Sequence, residues 1–391
     1  MFYLHVSNRT ENLLRHLAEV MRADQQPDFF AKELFLIQSQ GMERMIAQTL
    51  ADEFRCFCNF KFFLPLDFLG FVADRLGMGI SPDGFQRQIL TWRIDGLLRD
   101  LSDEVYLPIV SYLSGENNEL KRFQLARRLA NIFDQYQLMR SDMLAKWERG
   151  VLATTHPAES WQMDLWRRLL AQPAGEVHRG MQFSQVIERL NGKEDLAGML
   201  PKRISVIGLH TIPPIFLNYL NSLSSHMDVH LFLLSPCRNY WGNVESQRTQ
   251  FKRLARKPSE RIQQEVEEHH PLLAVLGRQG RDLQNMMLDG ASFALEFASY
   301  DDPLEGREYA DAPLLHRLQT DLLEGCFPDE QVAKIVAPDD SIQVVSCHSK
   351  LREITVLKDH LLRLLHLDSD LELRDIIVMA PDIQEYAPLI P

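Results

Sequence analysis

The chain has 391 residues, of which 45% are hydrophobic and 25% charged, a composition typical of a globular protein with room for two or three domains. Its formal charge of −12 excludes indiscriminate nucleic-acid binding through bulk charge, although it leaves room for a local basic groove. The scattered cysteines lack zinc-ligand spacing. No apolar run has the roughly 20 residues of a membrane helix, and no signal peptide opens the chain. We therefore expect a cytoplasmic protein without a membrane partner.

The first segment, residues 1–82, alternates strand and helix patterns. Its predicted elements are a strand over 2–6, a helix over 11–21, a strand over 33–38 and a helix over 42–54. This alternation favours a parallel sheet, and ligands of such sheets bind at the carboxyl ends of the strands. Gln38, Gln40 and Arg44 are predicted to lie at such an end.

The turn that joins the first strand to the first helix has the position of a phosphate-binding loop but not its residues. Such a loop needs glycines that let backbone N–H groups approach the phosphates, and a lysine that reaches the terminal ones. The turn reads Ser7-Asn8-Arg9-Thr10 and contains neither. A later strand, over 203–208, ends in Gly208-Leu209-His210, where an active helicase would need an acid for magnesium. We therefore predict that this chain hydrolyses no ATP.

Residues 84–200 change to a helical pattern that interrupts the α/β alternation. The predicted helices cover 85–101, 119–138, 141–150 and 159–172. The α/β pattern then resumes with strands over 203–208 and 229–234, a helix over 213–225, a polar excursion over 243–271 and a helix over 272–288. Two stretches rich in Asp, Glu and Pro, 301–313 and 327–340, are predicted loops.

A further unit begins at Ser341. Its predicted elements are a strand over 342–346, a helix over 351–365 and a strand over 375–379. One strand–helix–strand unit is too small to close a core of its own. We therefore expect the chain to be a fragment of a longer protein.

An ordered set of short segments along essentially the whole chain resembles the N-terminal part of RecC, the gamma subunit of bacterial exodeoxyribonuclease V (the RecBCD complex). Each segment alone is weak, but their common order is specific. The segments are HVSNR at 5–9, LIQSQGM at 36–42, FDQY at 133–136, VIGLHTIPP at 206–214, SPCRNYWG at 235–242, PLL at 271–273, GRD at 280–282, CHS at 347–349, RE at 352–353, RDIIVM at 374–379, PDI at 381–383 and Tyr386.

The resemblance implies a superfamily-one helicase-like (P-loop NTPase-like) fold that has lost its motifs. On this map, residues 1–82 and 200–335 form a first α/β core domain with a parallel sheet. Residues 83–199 form its mainly helical insertion, and residues 341–391 begin a second α/β core domain. The family's full chain runs further and includes a nuclease-like C-terminal domain.

The resemblance also implies a function. RecC-like proteins are non-catalytic DNA-binding subunits that act in double-strand-break repair by homologous recombination. They hold and scan unwound single-stranded DNA from forked DNA, and they respond to Chi sequences. RecB-like and RecD-like partners use ATP and magnesium to unwind and cut. No catalytic residue, cofactor or metal is therefore expected in this chain itself.

Carried over by position, one set of residues matches the family's pattern for gripping and reading the single strand. Amide and guanidinium groups can bond to base edges or phosphates, and an apolar side chain can support an unstacked base. The matching residues are Gln38, Leu64, Ile132, Asp134, Arg140 and Arg179. Gln40, Arg44, Gly70 and Asn131 stand where the best-known pattern has a hydroxyl, an amide, an aromatic and an acid. The recognised sequence therefore stays open: a different Chi, or none.

Two other functions also stay open. One is an active helicase or nuclease subunit of the related AddB type, against which the missing phosphate loop argues; the other is an assembly scaffold without DNA contact. Basic clusters that could contact a DNA backbone are Lys121-Arg122 with Arg127-Arg128, Arg167-Arg168, and Lys252-Arg253 with Arg256-Lys257, and an exposed helix face explains each equally well. The acid pairs Asp301-Asp302 and Asp339-Asp340 are interpreted as solvated loop residues and not as metal ligands.

Overall fold

The chain divides into two compact units, Met1–Glu305 with Gln319–Asp329 and Gly306–Leu318 with Glu330–Pro391. The computed structural model describes residues 1–25, 30–79, 84–115, 117–172, 177–193, 196, 198–246, 248–250, 269–290, 292–327 and 339–390. The first unit contains the sheet.

Six strands of the described residues form one sheet in the order β3-β2-β4-β5-β1-β6, and all neighbouring strands in it are parallel. They are β1 (Phe2–Ser7), β2 (Glu33–Leu36), β3 (Phe60–Phe63), β4 (Arg203–Ile207), β5 (Asp228–Leu234) and β6 (Ala294–Ser299). The central strands read as near-continuous apolar runs because both faces of a parallel sheet are covered. The predicted α/β class with a parallel sheet is confirmed.

The helices of the described residues follow the strands and fill the predicted insertion. They are α1 (Thr10–Ala23), α2 (Gln40–Phe54), α3 (Pro65–Arg75), α4 (Arg87–Leu97), α5 (Leu107–Leu113), α6 (Asn118–Met139), α7 (Ser141–Glu148), α8 (Glu159–Ala171), α9 (Arg179–Leu190), α10 (Pro214–Leu223), α11 (Pro271–Leu276), α12 (Arg278–Gly290), α13 (Leu314–Glu324) and α14 (Lys350–Leu367). None of the described helices is both long and apolar enough to cross a membrane.

Apolar side chains cover both faces of the sheet. Leu34 and Leu36 of β2 belong to one buried cluster and Phe35 to another, as the two-residue alternation of a strand requires. α1 and α2 complete the Phe35 cluster, whereas α3, α9, α10 and α12 complete the first. α9 lies near the end of the predicted insertion, and its Phe183 and Val186 pack in the core of the sheet.

The helices α4 to α8 have a core of their own, in which Trp147 and Trp166 are fully buried. Glu159, at the start of α8, organises this core. Its carboxylate accepts from the Trp147 Nε1–H over 2.7 Å and from the backbone N–H groups of Ala153 and Thr154 over 2.5 and 2.7 Å. Burial raises the pKa of Glu159, but the hydrogen bonds from Thr154, Trp147 and Ala153 outweigh it and hold that pKa at about 2.

A buried arginine joins the start of β4 to β2. Arg203 is 1% exposed, and its Nη2 lies 2.5 Å from Glu33 Oε1 while its Nε donates to Glu33 Oε2 over 3.1 Å. Two parallel N–H···O bonds of this kind are the strong geometry for a guanidinium and a carboxylate. The pair therefore fixes β4 beside β2 at the amino end of the sheet.

Two histidines lie buried in the middle of the sheet. His5 Nε2 of β1 and His230 Nδ1 of β5 are 3.0 Å apart. Burial, reinforced by the charges of the His230 and His16 imidazoles, lowers the pKa of His5 from 6.5 to about 3, and burial lowers the pKa of His230 to about 4. Both imidazoles are therefore neutral at pH 7 in the folded chain.

The helix predicted over 272–288 is wrong in an instructive way. The single helix predicted over 272–288 is two helices, α11 and α12, because the ring of Trp241 packs where the chain bends. A Cβ atom on Gly277 would lie 2.6 Å from that ring, and one on Gly280 would also lie 2.6 Å from it. Most of the polar excursion predicted over 243–271 lies outside the described residues.

The strands predicted over 342–346 and 375–379 are also wrong. Residues 339–390 form α14 and short 3₁₀ turns at Leu373–Asp375, Ile383–Glu385 and Ala387–Leu389, with no β-strand. Val344 is 93% and Met379 82% exposed. An extended segment becomes a strand only when its N–H and C=O groups find a neighbour, and residues 339–390 supply none.

Candidate nucleic-acid interface

The carboxyl ends of β2 and β3 bring Gln38 and Leu64 to the same edge. Leu36 pairs with Phe63 in register, and the Ile37 N–H donates to the Phe63 carbonyl over 3.0 Å. Gln38 follows and is exposed, while Leu64, just before α3, is 47% exposed. An amide and an exposed apolar side chain therefore stand at neighbouring strand ends, where parallel sheets bind ligands.

The helix that follows β2 carries the next two predicted residues. Ser39 caps α2, its hydroxyl accepting from the Met42 N–H over 3.4 Å. Gln40 is the first residue of α2 and Arg44 lies one turn later, and both are exposed. Because residues i and i+4 share a helix face, Gln40 and Arg44 add an amide and a cation beside Gln38.

A cavity of about 210 Å³ lies at this edge, with Gln38, Gly208 and His210 in its lining. Gly208 has a φ of +74°, and a Cβ atom there would lie 3.0 Å from the Met42 Cε. The glycine thus lets the chain leave β4 close beneath α2. The cavity is smaller than the roughly 300–1,000 Å³ of ordinary cofactor sites.

A carboxylate from beyond β6 closes the turn between β1 and α1. The Asp301 N–H donates to Asn8 Oδ1 over 2.9 Å, and Asn8 Nδ2 donates to the Asp301 carbonyl over 2.9 Å. The Asp301 carboxylate accepts from Asn12 Nδ2 over 2.7 Å and lies 3.2 Å from Arg9 Nε. Helix N-termini attract anions through their free N–H groups and dipole, so the protein's own carboxylate sits beside this one.

The remaining predicted residues lie on or next to α6 and α9. Arg179 is the first residue of α9, and its Nη1 lies 3.1 Å from Asp134 Oδ1 on α6. Its backbone N–H donates to Gln137 Oε1 over 3.1 Å. The side chains of Arg179 and Asp134 are only 17% and 27% exposed. The pair ties α9 to α6 and fixes the position of the guanidinium.

Three further predicted residues differ in exposure. Asn131 is exposed on α6, and Ile132 is half-buried against the helical core. Arg140 joins α6 to α7 and is exposed, and within the described ranges its guanidinium makes no ion pair. Asn131 and Arg140 can therefore reach a ligand in solvent, whereas Ile132 has mainly a packing role.

Comparison with known sequences decides the family. The family model described as RecC, N-terminal domain, matches residues 2–325. The chain belongs to the RecC family.

Relatives from distant bacteria match this RecC-family chain over nearly all of its length. It is 32% identical to the RecBCD enzyme subunit RecC of Escherichia coli (strain K12), covering 100% of the chain and 38% of that protein. The corresponding subunit of Haemophilus influenzae is 27% identical, covering 100% and 39%, and that of Mycolicibacterium smegmatis is 31% identical, covering 99% and 34%. The chain therefore spans less than two-fifths of the length of these relatives.

The nine predicted contact residues of this RecC-family chain fall into two groups. One follows β2 and β3 at the sheet edge, and the other lies along α6, the start of α7 and the start of α9. The first comprises Gln38, Gln40, Arg44 and Leu64, and the second Asn131, Ile132, Asp134, Arg140 and Arg179. Their contacts with DNA stay predictions.

Sequence reasoning missed the role of Asp301 by treating it as a solvated loop acid. Its partners Asn8 and Asn12 are almost 300 positions away in the chain. β6, which brings Asp301 to them, was not predicted either. The available signal was Asn8 in the turn and Asn12 in the first turn of α1, since amide side chains near a strand end can bind a neighbouring segment.

The predicted basic clusters differ in how far they are paired within the protein. Arg122 lies 3.0 Å from Asp95, and Arg168 lies 2.7 Å from Asp164. Arg127 and Arg128 are exposed. The cluster at 252–257 lies outside the described residues. Among the residues that the structure does describe, no three His, Cys, Asp or Glu side chains are grouped to hold a metal ion.

Proposed function

We propose that this chain is a non-catalytic, DNA-binding subunit of an exodeoxyribonuclease V-type complex that acts in double-strand-break repair by homologous recombination. It holds and scans the unwound single strand and responds to Chi-like sequences. RecB-like and RecD-like subunits use ATP and magnesium to unwind forked DNA and cut it. The relatives' name, RecBCD enzyme subunit, supports the assembly.

The closed turn between β1 and α1 carries the non-catalytic half of this proposal. A nucleotide phosphate there would meet the Asp301 carboxylate, a like charge held by Asn12 and Arg9. In the sheet, β5 separates β4 from β1. β4 ends at Ile207, and no acid follows it at Gly208. Both strand ends that would serve ATP in a helicase-like core therefore lack the residues for it, which supports a degenerate helicase-like (P-loop NTPase-like) fold.

Side-chain chemistry supports the DNA-binding half. Gln38 and Gln40 offer amides that can bond to base edges, and exposed Leu64 can support an unstacked base. Arg44 and Arg140 are exposed cations suited to phosphates. An acidic chain that keeps Gln38, Gln40, Arg44 and Leu64 at one edge of the sheet favours a local DNA path over general binding.

We also propose the domain map drawn from the sequence: 1–82 with 200–335 as a first core domain, 83–199 as an insertion and 341–391 as the start of a second core domain. The separate core of α4 to α8 supports the insertion. The α9 contacts with the sheet core suggest that the insertion rejoins the core domain before residue 199.

Hydrolysis of ATP tests the non-catalytic half. The isolated chain is expected to show no DNA-stimulated ATP hydrolysis, and a complex with a helicase–nuclease partner is expected to hydrolyse ATP through the partner alone. Turnover by the isolated chain that disappeared on mutating residues 7–14 would support the AddB-type alternative instead.

Salt-dependent binding of single-stranded DNA separates a DNA-binding subunit from a scaffold. Each of Arg140→Ala and Arg179→Ala is expected to weaken binding and to lower the slope of log affinity against log salt by about 0.7, since one phosphate contact is lost. Arg278→Ala, which removes a 79%-exposed arginine side chain elsewhere, is the matched control. No measurable binding even at low salt would favour the scaffold.

A further inference from the structure

The helical insertion carries an exposed tryptophan on α4 beside a half-buried phenylalanine on α6. Trp92 of α4 is 67% exposed, whereas Trp147, Trp166 and Trp241 are at most 4% exposed. Its ring lies 5.3 Å from that of Phe123 on α6, at an interplanar angle of 47°. At this exposure the indole can contact a ligand from the solvent side.

The charges around this pair are arranged for an anion. Asp95, one turn from Trp92 on α4, is buried and bonded to both Arg99 and Arg122, at 3.1 and 3.0 Å. On α6, Arg127 follows Phe123 by one turn and is exposed. In the part of the chain that the structure describes, Arg127 makes no ion pair. Asp95 is therefore neutralised by Arg99 and Arg122, and the guanidinium of Arg127 remains for an anionic ligand.

The same face of α6 continues toward a predicted contact residue. Helical neighbours at i+3 and i+4 form an exposed row along the helix. The row consists of Gln124, Arg127, Arg128, Asn131 and Gln135. It contains amides and guanidinium groups and no carboxylate. Asp134, the acid beside the row on α6, is 27% exposed and lies 3.1 Å from Arg179, so an anionic ligand is expected on the Phe123 to Arg128 part of α6.

We infer that Trp92 and Phe123 form a stacking platform for bases of single-stranded DNA, with Arg127 and Arg128 holding the flanking phosphates. Aromatic faces beside cations bind single strands without reading sequence, because every base has a π face and every linkage a phosphate. The row of amides and arginines on α6 favours a ligand that carries phosphates over an uncharged protein surface. The inference rests on the proposed DNA-binding function and adds a site that no predicted contact residue occupies.

Intrinsic fluorescence and affinity test the platform in the full chain, with an oligothymidylate as the probe. Binding is expected to quench part of the tryptophan emission, and Trp92→Phe is expected to bind normally without that quenching. Trp92→Ala should weaken binding about 5- to 30-fold, the loss of one stacked base. Tyr112→Ala, which removes a 54%-exposed aromatic side chain from α5, is the control.

The outcomes separate the platform from the wider proposal. Binding that depends on Arg179 but not on Trp92, with unquenched emission, would overturn the platform and leave the DNA-binding function standing. Absence of all oligonucleotide binding at low salt would overturn both. Normal DNA binding by Trp92→Ala together with lost capture of a helicase–nuclease partner would make this face a protein contact and would refute the inference.

Discussion

Replacing Asp134 with asparagine is expected to tighten the binding of single-stranded DNA. In the folded chain the Asp134 carboxylate lies 3.1 Å from Arg179 Nη1 and competes with any phosphate for that guanidinium. Asparagine has nearly the same shape but no charge. The variant therefore removes the carboxylate that competes for Arg179, and with it a negative charge from the proposed path of the DNA.

The size of the effect follows from the charges involved. A unit charge some 7 Å from a phosphate in a partly hydrated groove contributes about 0.5–1 kcal/mol, so the dissociation constant should fall about two- to fivefold at low salt. One more phosphate neutralised by Arg179 should steepen the salt slope by about 0.7. The lost ion pair between half-buried side chains should cost about 1 kcal/mol of stability.

Fluorescence anisotropy of a labelled oligothymidylate, titrated between about 50 and about 200 mM salt, measures the affinity and the salt slope. Urea unfolding measures the stability. Asp282→Asn, which removes an exposed acid from α12, is the matched control. Unchanged affinity and slope would refute the contact of Arg179 with DNA. Weaker binding at unchanged stability would show that Asp134 itself accepts a hydrogen bond from a base.

Three further predictions concern stability. Acidification from pH 7 to pH 5 should lower the free energy of unfolding by about 3 kcal/mol. The folded pKa values of His5 and His230 are about 3 and 4, so in this range both take up protons only in the unfolded chain. Urea midpoints that do not change with pH would contradict this. Arg203→Ala leaves the Glu33 carboxylate without its partner and should cost about 3–4 kcal/mol in thermal unfolding, so a loss below about 1 kcal/mol would count against it. Glu159→Ala removes the acceptor of three N–H groups and should cost about 3 kcal/mol, with Glu159→Gln in between.

The sequence predicted the strands whose apolar runs are buried in the middle of the sheet and missed those at its edges. β1, β2, β4 and β5 lie within or close to their predicted ranges because both faces of each are covered. β3 and β6 are the outer strands, and their alternation is blurred by partial exposure. Periodicity reports burial, so an edge strand with one open side gives a weak signal.

The candidate site also contains features that the sequence could predict and features that it could not. Gln38 could be predicted because its position follows from one strand and the rule for parallel sheets. The pairing of Asp134 with Arg179 could not, because 45 residues separate them and only the packing of α6 against α9 brings them together. The family resemblance suggested DNA contact for both, and their ion pair means that the Asp134 carboxylate competes with a phosphate for Arg179.

Asp301 bears on whether nucleotide binding could be returned to this fold. Grafting glycines and a lysine into residues 7–14 would recreate the loop, but the carboxylate held by Asn12 would still oppose the phosphates and would form an ion pair with the new lysine. The loop and the acid beyond β6 would have to change together. Single substitutions in the turn are therefore a poor route back to an ATPase, and a variant that regained nucleotide binding should carry a second change at Asp301.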